Sequence, residues 1–387
     1  MPKINTALFG AVALIPNVAS LPVVETLEFL TDQLESYNGT EQNIQLRFKA
    51  RQTFDYSIPL QPGADIDVFN TAYGAIRKLW AVPVWTDAQY VGNVTGGLTS
   101  INCDTIYHDL RADSLAMLYD GCGKYQLLEV TGKTDTEISL STPTQVFRGA
   151  MLIPVRVGHV EADIQKPTNG YNGSVKVKFQ VDDTAEFSPT APEQFLANDI
   201  YYDASLLEGN SLNTSFIQRS DVNDYDVGPI EYRTPWLYSK FGRSHRVMSV
   251  TKEERKTFKD FVYRRAGKAN VFWMPTFQND FKVLNTGSIV STLSFKKNSY
   301  LDYATNRTHI AFEDLAGNWY PRTISAPVST GTDTMQVTLS APLNVNASQL
   351  KRTCYLGLNR LNTDRIEITY GTSQTAESSF PILELTP

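Results

Sequence analysis

The chain has 387 residues, of which 42% are hydrophobic and 20% charged, with a net charge of −6. This length exceeds what one hydrophobic core usually organises, so we expect two domains. The composition excludes intrinsic disorder, the acidic balance gives no overall basic surface for nucleic acid, and no apolar run reaches the roughly 18 residues of a membrane span.

The N-terminal segment, residues 1–20, combines one early lysine with an apolar stretch over residues 7–16. A secretory signal has a positively charged start, an apolar segment and a small-residue cleavage site. A single positive charge is a weak match to that pattern. We therefore expect an N-terminal arm, a buried extended segment, rather than a signal.

A first β-rich repeat is predicted over residues 21–200, and its opening pattern is strand, helix, aromatic strand. Residues 44–58, IQLRFKARQTFDYSI, alternate apolar and polar positions as a half-buried strand does. The chain then breaks at residues 62–65, and an apolar stripe follows at helical spacing: Phe69, Ala72, Tyr73 and Ile76. The aromatic run WAVPVW, residues 80–85, predicts the strand that returns.

A long connection is predicted over residues 201–236, because this stretch is polar, rich in Asn, Ser and Asp, and weakly patterned. A second β-rich repeat follows over residues 237–387. Its strand HRVMSV leads into a helix with a capping box at Thr251 and Glu254. That helix carries an apolar stripe on one face: Phe258, Phe261 and Val262. Gly267 is the expected stop, and NVFWMPTF is the returning strand.

The opening parts of the two repeats match in one ungapped frame, and the later parts correspond more loosely. Setting Pro83 equivalent to Pro275 gives an offset of 192 residues, which also pairs three sets of aromatic residues. We therefore predict a β-rich α+β fold built by tandem duplication of a strand–helix–aromatic strand unit followed by β-hairpins. The predicted repeat core comprises the aromatic residues and prolines at these positions: Phe69, Trp80, Pro83, Trp85, Phe261, Phe272, Trp273, Pro275 and Phe277. Because proline cannot donate to a sheet ladder, it marks a strand edge or a bulge.

Residues that could carry chemistry are scattered. The four histidines have no partner at metal-ligand spacing, and the three cysteines are too few for a disulfide framework or a zinc site. No nucleophile elbow, Walker loop or dinucleotide fingerprint occurs. Carboxylate pairs suited to glycoside hydrolysis, such as Asp104 with Asp109 or Glu186 with Asp199, are not distinguished from solvated charges. We expect no catalytic residue, cofactor or metal.

Three segments resemble a known family. GTEQ at residues 39–42 precedes an arginine-containing strand, RAGKANVFWMPTF at residues 265–277 ends a helix, and residues 364–385 close the chain with a DRIE and AESS pattern. Together they resemble tail-tip, or baseplate, structural proteins of tailed bacteriophages. Phe277 stands where that family often has tryptophan.

The resemblance implies a structural virion component, made in the host cytoplasm, that connects the tail tube to the tip or receptor-binding apparatus. It implies tail tube, hub, fibre or receptor-binding proteins as partners, and it brings no catalytic residues. A duplicated unit suits a homo-oligomeric ring, in which three copies imitate sixfold symmetry. Nucleic-acid binding and membrane insertion are not expected.

Two other functions stay open. One is a receptor- or carbohydrate-binding tail module that uses the tryptophans and four tyrosines of the connection region: Tyr201, Tyr202, Tyr225 and Tyr232. The other is a cell-wall hydrolase. The evidence for it would be turnover of cell-wall material that is lost when one carboxylate residue is replaced.

Overall fold

The computed structural model describes residues 3–60, 70, 73–74, 78–161, 164–165, 168–169, 172–183, 185–203 and 213–385. Most of the helix expected in the first repeat, including Phe69, lies outside the described residues. The helix expected in the second repeat lies within them.

The protein is a β-rich α+β protein, which confirms the predicted fold class. The strands up to residue 181 are β1 (Lys3–Thr6), β2 (Gly10–Leu14), β3 (Ser20–Glu28), β4 (Thr31–Glu35), β5 (Glu41–Gln45), β6 (Arg51–Leu60), β7 (Trp80–Pro83), β8 (Gln89–Val94), β9 (Ser100–Asn102), β10 (Ser114–Tyr119), β11 (Tyr125–Lys133), β12 (Glu137–Leu140), β13 (Phe147–Val160), β14 (Thr168–Asn169) and β15 (Asn172–Val181).

The remaining strands are β16 (Gln194–Phe195), β17 (Asn198–Asp199), β18 (Thr214–Ile217), β19 (Asp221–Asn223), β20 (Glu231–Arg233), β21 (Lys240–Ser249), β22 (Phe272–Pro275), β23 (Ser288–Ile289), β24 (Thr292–Lys296), β25 (His309–Asp314), β26 (Trp319–Ser329), β27 (Thr334–Leu339), β28 (Val345–Asn346), β29 (Leu350–Leu361), β30 (Arg365–Tyr370) and β31 (Ala376–Glu384). The described helices are α1 (Lys252–Arg265) and α2 (Tyr300–Tyr303), with short 3₁₀ turns at Trp85–Asp87 and Ala347–Gln349.

Helix α1 begins and ends where the sequence predicts. The Thr251 hydroxyl accepts a hydrogen bond from the Glu254 backbone at 3.1 Å, and the Glu254 carboxylate accepts one from the Val250 backbone at 2.8 Å. The carboxylate thus reaches one residue before the cap, a variant of the predicted capping box. The helix ends in left-handed backbone at Ala266 and Gly267, with φ of 49° and 70°.

One continuous antiparallel sheet of eight strands forms the centre of the molecule. Its strands lie in the order β14–β15–β6–β3–β30–β31–β21–β18. The first four strands come from the N-terminal part of the chain and the last four from the C-terminal part. We call residues 10–181 the N-terminal unit and residues 200–384 the C-terminal unit.

The same pairings occur in both units. In the N-terminal unit β13 pairs with β7, β10 and β15, and β15 pairs with β6; in the C-terminal unit β29 pairs with β22, β25 and β31, and β31 pairs with β21. The hairpin layers also have equivalent strand orders, which are β9–β12–β11–β10 in the N-terminal unit and β24–β27–β26–β25 in the C-terminal unit. Pro83 lies opposite Val155, and Pro275 lies opposite Leu356.

The tandem duplication stays a prediction, because most of the helix that would complete the N-terminal unit lies outside the described residues. The domain boundaries stay predictions too. The predicted arm contains β1 and β2, and β2 pairs in parallel with β7 through Ala13 and Trp80. The predicted connection, residues 201–236, contains β18 and the β19–β20 hairpin, so the pairing pattern of the C-terminal unit already begins there.

The largest core lies between the central sheet and α1, and both units contribute to it. Phe258, Phe261 and Val262 of α1 pack there with buried residues of β3, β6, β15, β30 and β31. Two smaller cores lie under the hairpin layers, one around Leu128 and Leu152 and the other around Phe295 and Phe312. The units are therefore joined by a shared core as well as by the sheet.

Candidate functional site

The predicted repeat-core residues pack inside the protein. Among the described ones, Trp80, Phe272 and Trp273 are at most 6% exposed, and both prolines are buried at the ends of β7 and β22. Phe261 is 6% exposed, whereas Trp85 and Phe277 are half-buried. Phe69 lies outside the described residues. Buried rings at these positions serve packing and offer no face to a ligand.

The structure does not bring the histidines together into a site. His245 is buried against the Phe380 ring, and burial lowers its pKa to about 4. His309 packs between Phe195 and Trp273. Across the part of the chain that is described, no group of three histidine, cysteine or acidic side chains is placed to hold a metal ion.

The carboxylates considered for hydrolysis are engaged elsewhere. Asp109 is held by arginines, Asp199 pairs with Arg264 at 2.6 Å, and the exposed Glu186 pairs with Lys49 at 2.6 Å. Asp104 is exposed and accepts a hydrogen bond from a backbone amide of its own turn at 2.8 Å. Neither pair forms two free carboxyl groups facing a cleft.

The tyrosines considered for ligand binding are separated by burial. Tyr201 is 4% exposed and packs on Phe261, with ring centroids 4.2 Å apart. Tyr202 stacks on Trp319 at 5.2 Å. Tyr225 and Tyr232 are exposed by 69% and 68%. Only the latter two present open rings.

A specific contact surface joins the two units, and we call it the seam. It is the antiparallel pair β3 and β30, which runs from Val23 opposite Tyr370 to Glu28 opposite Arg365. Within it Leu27 lies opposite Ile366, and both side chains are fully buried. The seam therefore joins the two four-stranded halves of the sheet through main-chain hydrogen bonds and an apolar face.

A buried charge network crosses this seam. The Lys259 ammonium lies 3.1 Å from Glu25 and 3.5 Å from Asp109. The Tyr370 hydroxyl donates to Glu25, and the Gln52 amide donates to the same carboxylate at 2.6 Å. Burial opposes the charge on Lys259, but Glu25 and Asp109 outweigh burial and raise its pKa.

Asp109 has three cationic neighbours. Arg111 binds it through two nitrogens at 2.7 and 2.8 Å, and Arg156 lies at 2.8 Å. Burial would raise the pKa of Asp109, but Arg111, Arg156 and Lys259 together hold it well below its usual range. The carboxylate stays ionised and fully engaged, so its role is to anchor α1 rather than to accept a substrate proton.

A second ion pair fixes the start of α1 against the N-terminal unit. Arg255 lies 2.5 Å from Asp87, and it also donates to the carbonyls of Thr86 and Ser373 at 3.1 and 3.0 Å. Lys252, at the first position of the helix, donates to the Ala88 carbonyl at 3.0 Å. Arg255 and Lys252 of the C-terminal unit thus bind carboxylate and carbonyl oxygens of residues 86–88 in the N-terminal unit.

Within the part of the chain that the structure describes, the sheet ends in two open edges, one at β14 and one at β18 of the predicted connection. Among the described strands, β14 pairs only with β15, and β18 pairs only with β21. All four residues of β18 are exposed, Phe216 by 76%. Exposed apolar side chains close to β18 in the sequence are Ile217, Val222, Val227, Leu237 and Tyr238. Open strand edges with apolar side chains are typical association surfaces.

The described helices are all too short or too polar to cross a membrane. No protein-family model matches the chain, and no curated protein matches it. The seam and the two open edges are therefore the features on which a functional proposal depends.

Proposed function

We propose that the protein is a structural component of a bacteriophage tail tip, or baseplate, that acts through ring-forming and neighbour contacts without catalysis. One structural observation carries the assembly part of this proposal. The eight-stranded sheet contains strands of two units that are already joined edge to edge, and among the described strands it ends in one open edge of each unit. The virion part rests on the sequence resemblance.

The two open edges differ from each other, which favours a head-to-tail contact. β14 ends the N-terminal unit, whereas β18 ends the C-terminal unit. A head-to-tail contact uses two different surfaces and closes into a ring when the rotation between copies divides the full circle. Three copies would place six units around the ring, and in this way a ring of three copies would imitate sixfold symmetry.

The proposed neighbours are the tail tube and the hub, fibre or receptor-binding proteins of the tip. A closed ring repeats the same surface once per copy, which suits neighbours that are themselves present in several copies. The proposed location is the virion, after synthesis in the host cytoplasm.

The test combines solution mass with location. Light scattering on the purified full chain measures the number of copies per particle, and antibody labelling of intact phage particles locates the protein. A ring-sized oligomer together with label at the tail end would support the proposal. A stable monomer and unlabelled particles would overturn it and return the binding-module hypothesis to first place.

A further inference from the structure

The two units bury equivalent strand edges differently. The two units can be aligned by setting Pro83 equivalent to Pro275 and then following the paired residues from each strand to the next through the sheet. In this alignment Leu27 of β3 is equivalent to Phe216 of β18. Leu27 is fully buried because β30 covers its strand, whereas Phe216 is 76% exposed. The edge that the seam covers in one unit is open in the other.

The N-terminal unit also carries an equivalent of β30, for which the described residues show no partner on the outer side. In the C-terminal unit β30 and β31 form a hairpin, with Ile368 opposite Ser378. In the N-terminal unit β14 and β15 form the matching hairpin, with Thr168 opposite Gly173 and a bridge from Gln165 to Lys176. The same alignment makes Ile164 equivalent to Ile366. We call residues 164–165 and 168–169 the donor segment.

We propose that β18 of one copy pairs antiparallel with the donor segment of a second copy of this chain, in the register of the seam. Phe216 then lies opposite Ile164, as Leu27 lies opposite Ile366, and Ser215 lies opposite Gln165, as Thr26 lies opposite Glu367. This deepens the proposed ring by naming its contact. It does not depend on the virion role.

The seam within the chain is the argument for this occupant. It shows that a β18-type edge and a β30-type edge of this protein pair with each other, and the described strands of each copy end in one edge of each type. Seven strand spacings of about 4.8 Å, or about 34 Å of sheet, separate the two edges within one copy. The two edges of one copy are therefore too far apart to pair with each other. A second copy supplies the donor segment for β18, and the sheet continues across the interface.

The pairing would also bury apolar surface that is now open. Phe216 and Ile217 are exposed by 76% and 42%, and Ile164 already packs against the central core from its own side. Placing a β-branched residue opposite an aromatic one is a favourable cross-strand pair. Covering the edge removes a row of unpaired main-chain groups, which otherwise invites non-specific strand addition.

Disulfide trapping tests the register. Ser215→Cys and Gln165→Cys are made in separate full-length chains, both at exposed positions, in a Cys122→Ser background because Cys122 is exposed. The two remaining cysteines react slowly, because burial raises the pKa of Cys103 to about 11 and of Cys354 to about 12. Mixed at tens of micromolar and oxidised, the two chains should form a covalent dimer, and neither chain alone should do so.

A matched control places the cysteine one strand further from the edge. Ser244, on β21, is also exposed, and Ser244→Cys should not cross-link to Gln165→Cys. Failure of the Ser215 and Gln165 pair to cross-link would overturn the proposal, and so would cross-linking of Ser215→Cys alone, which indicates a two-fold contact between β18 edges. A ring seen by light scattering without this cross-link would leave the proposed function standing and reject this contact.

Discussion

The Tyr370 hydroxyl donates a hydrogen bond to the Glu25 carboxylate across 345 positions of sequence, and both side chains are buried. The same carboxylate pairs with Lys259 of α1, so one acidic residue of β3 holds both the last hairpin and the central helix of the C-terminal unit. Burial of the Glu25 carboxylate is tolerated because Lys259 balances its charge and its oxygens accept hydrogen bonds from Tyr370 and Gln52. This network fixes how the two units are joined.

Replacing Lys259 with Met should destabilise the protein by about 3 to 5 kcal/mol, because Glu25 loses its ion pair with Lys259 and Asp109 loses one of its cations inside the core. Urea denaturation followed by circular dichroism measures the change. Lys49→Met is the control, since Lys49 is exposed and pairs at the surface with the exposed Glu186. Its effect should stay below about 1 kcal/mol. Equal losses in the two variants would contradict a special role for the seam network.

Replacing Phe261 with Ala should cost about 3 to 5 kcal/mol, as truncation of a large core side chain does. Phe261 packs on Tyr201, Phe272 and Phe380 and is 6% exposed. Thermal or urea unfolding gives the value, with Tyr303→Ala as the control because Tyr303 is 81% exposed. A loss under about 1 kcal/mol would mean that α1 does not face the core.

Replacing Gly158 with Ala should destabilise the protein by about 1 to 3 kcal/mol or more, because backbone must move to admit the methyl group. A Cβ at this position would lie 2.0 Å from the Gln180 carbonyl oxygen on the neighbouring strand. Gly132→Ala, also within a strand, is the matched control, since its nearest neighbour would lie at 3.9 Å. Similar melting temperatures for the two variants would argue against the close approach of β13 and β15.

Stability should depend on the ionisation of Glu384. Burial raises the pKa of this carboxyl to about 7, although Arg307 and Arg243 lower it. A folded-state pKa above the unfolded value of 4.5 means that the folded protein keeps a proton that the unfolded chain has lost. The resulting stabilisation is complete below about pH 4.5 and is lost as the pH rises through about 7.

The measurement compares wild type with Glu384→Gln by urea denaturation at several pH values from 4.5 to 8. The wild-type free energy of unfolding, relative to that of the variant, should fall across this range. A constant difference would show that the carboxyl titrates normally in the folded protein.

Tryptophan fluorescence distinguishes the structural proposal from the glycan-binding alternative. Trp80, Trp236 and Trp273 are at most 8% exposed, so emission should be blue-shifted and weakly quenched by acrylamide. Added cell-surface glycan should leave the spectrum unchanged. Quenching that the glycan relieves would favour a binding module.

Much of the local structure could be predicted from the sequence. The capping residues, the apolar stripe and the glycine stop predict α1 to within a residue or two, and the two aromatic runs each contain a short strand that ends at proline. These features depend on neighbours in the chain, where hydrogen-bond capping, helical spacing and the missing proline amide act over a few residues.

The segment 201–236 shows why the rest could not be predicted. β18 is a short strand with little alternation, and it is recognisable as a strand because it pairs with β21. The seam network likewise joins residues such as Glu25 and Lys259 that no spacing rule connects.

The sequence by itself therefore determined the class of the protein, the bounds of its main helix and the likeness of its two aromatic strands, because these follow from local chemistry. Only the tertiary structure decided which edges are covered and which are open. Strand order depends on contacts between distant residues, and the same type of edge is buried at β3 and exposed at β18 because the chain supplies β30 to only one of them.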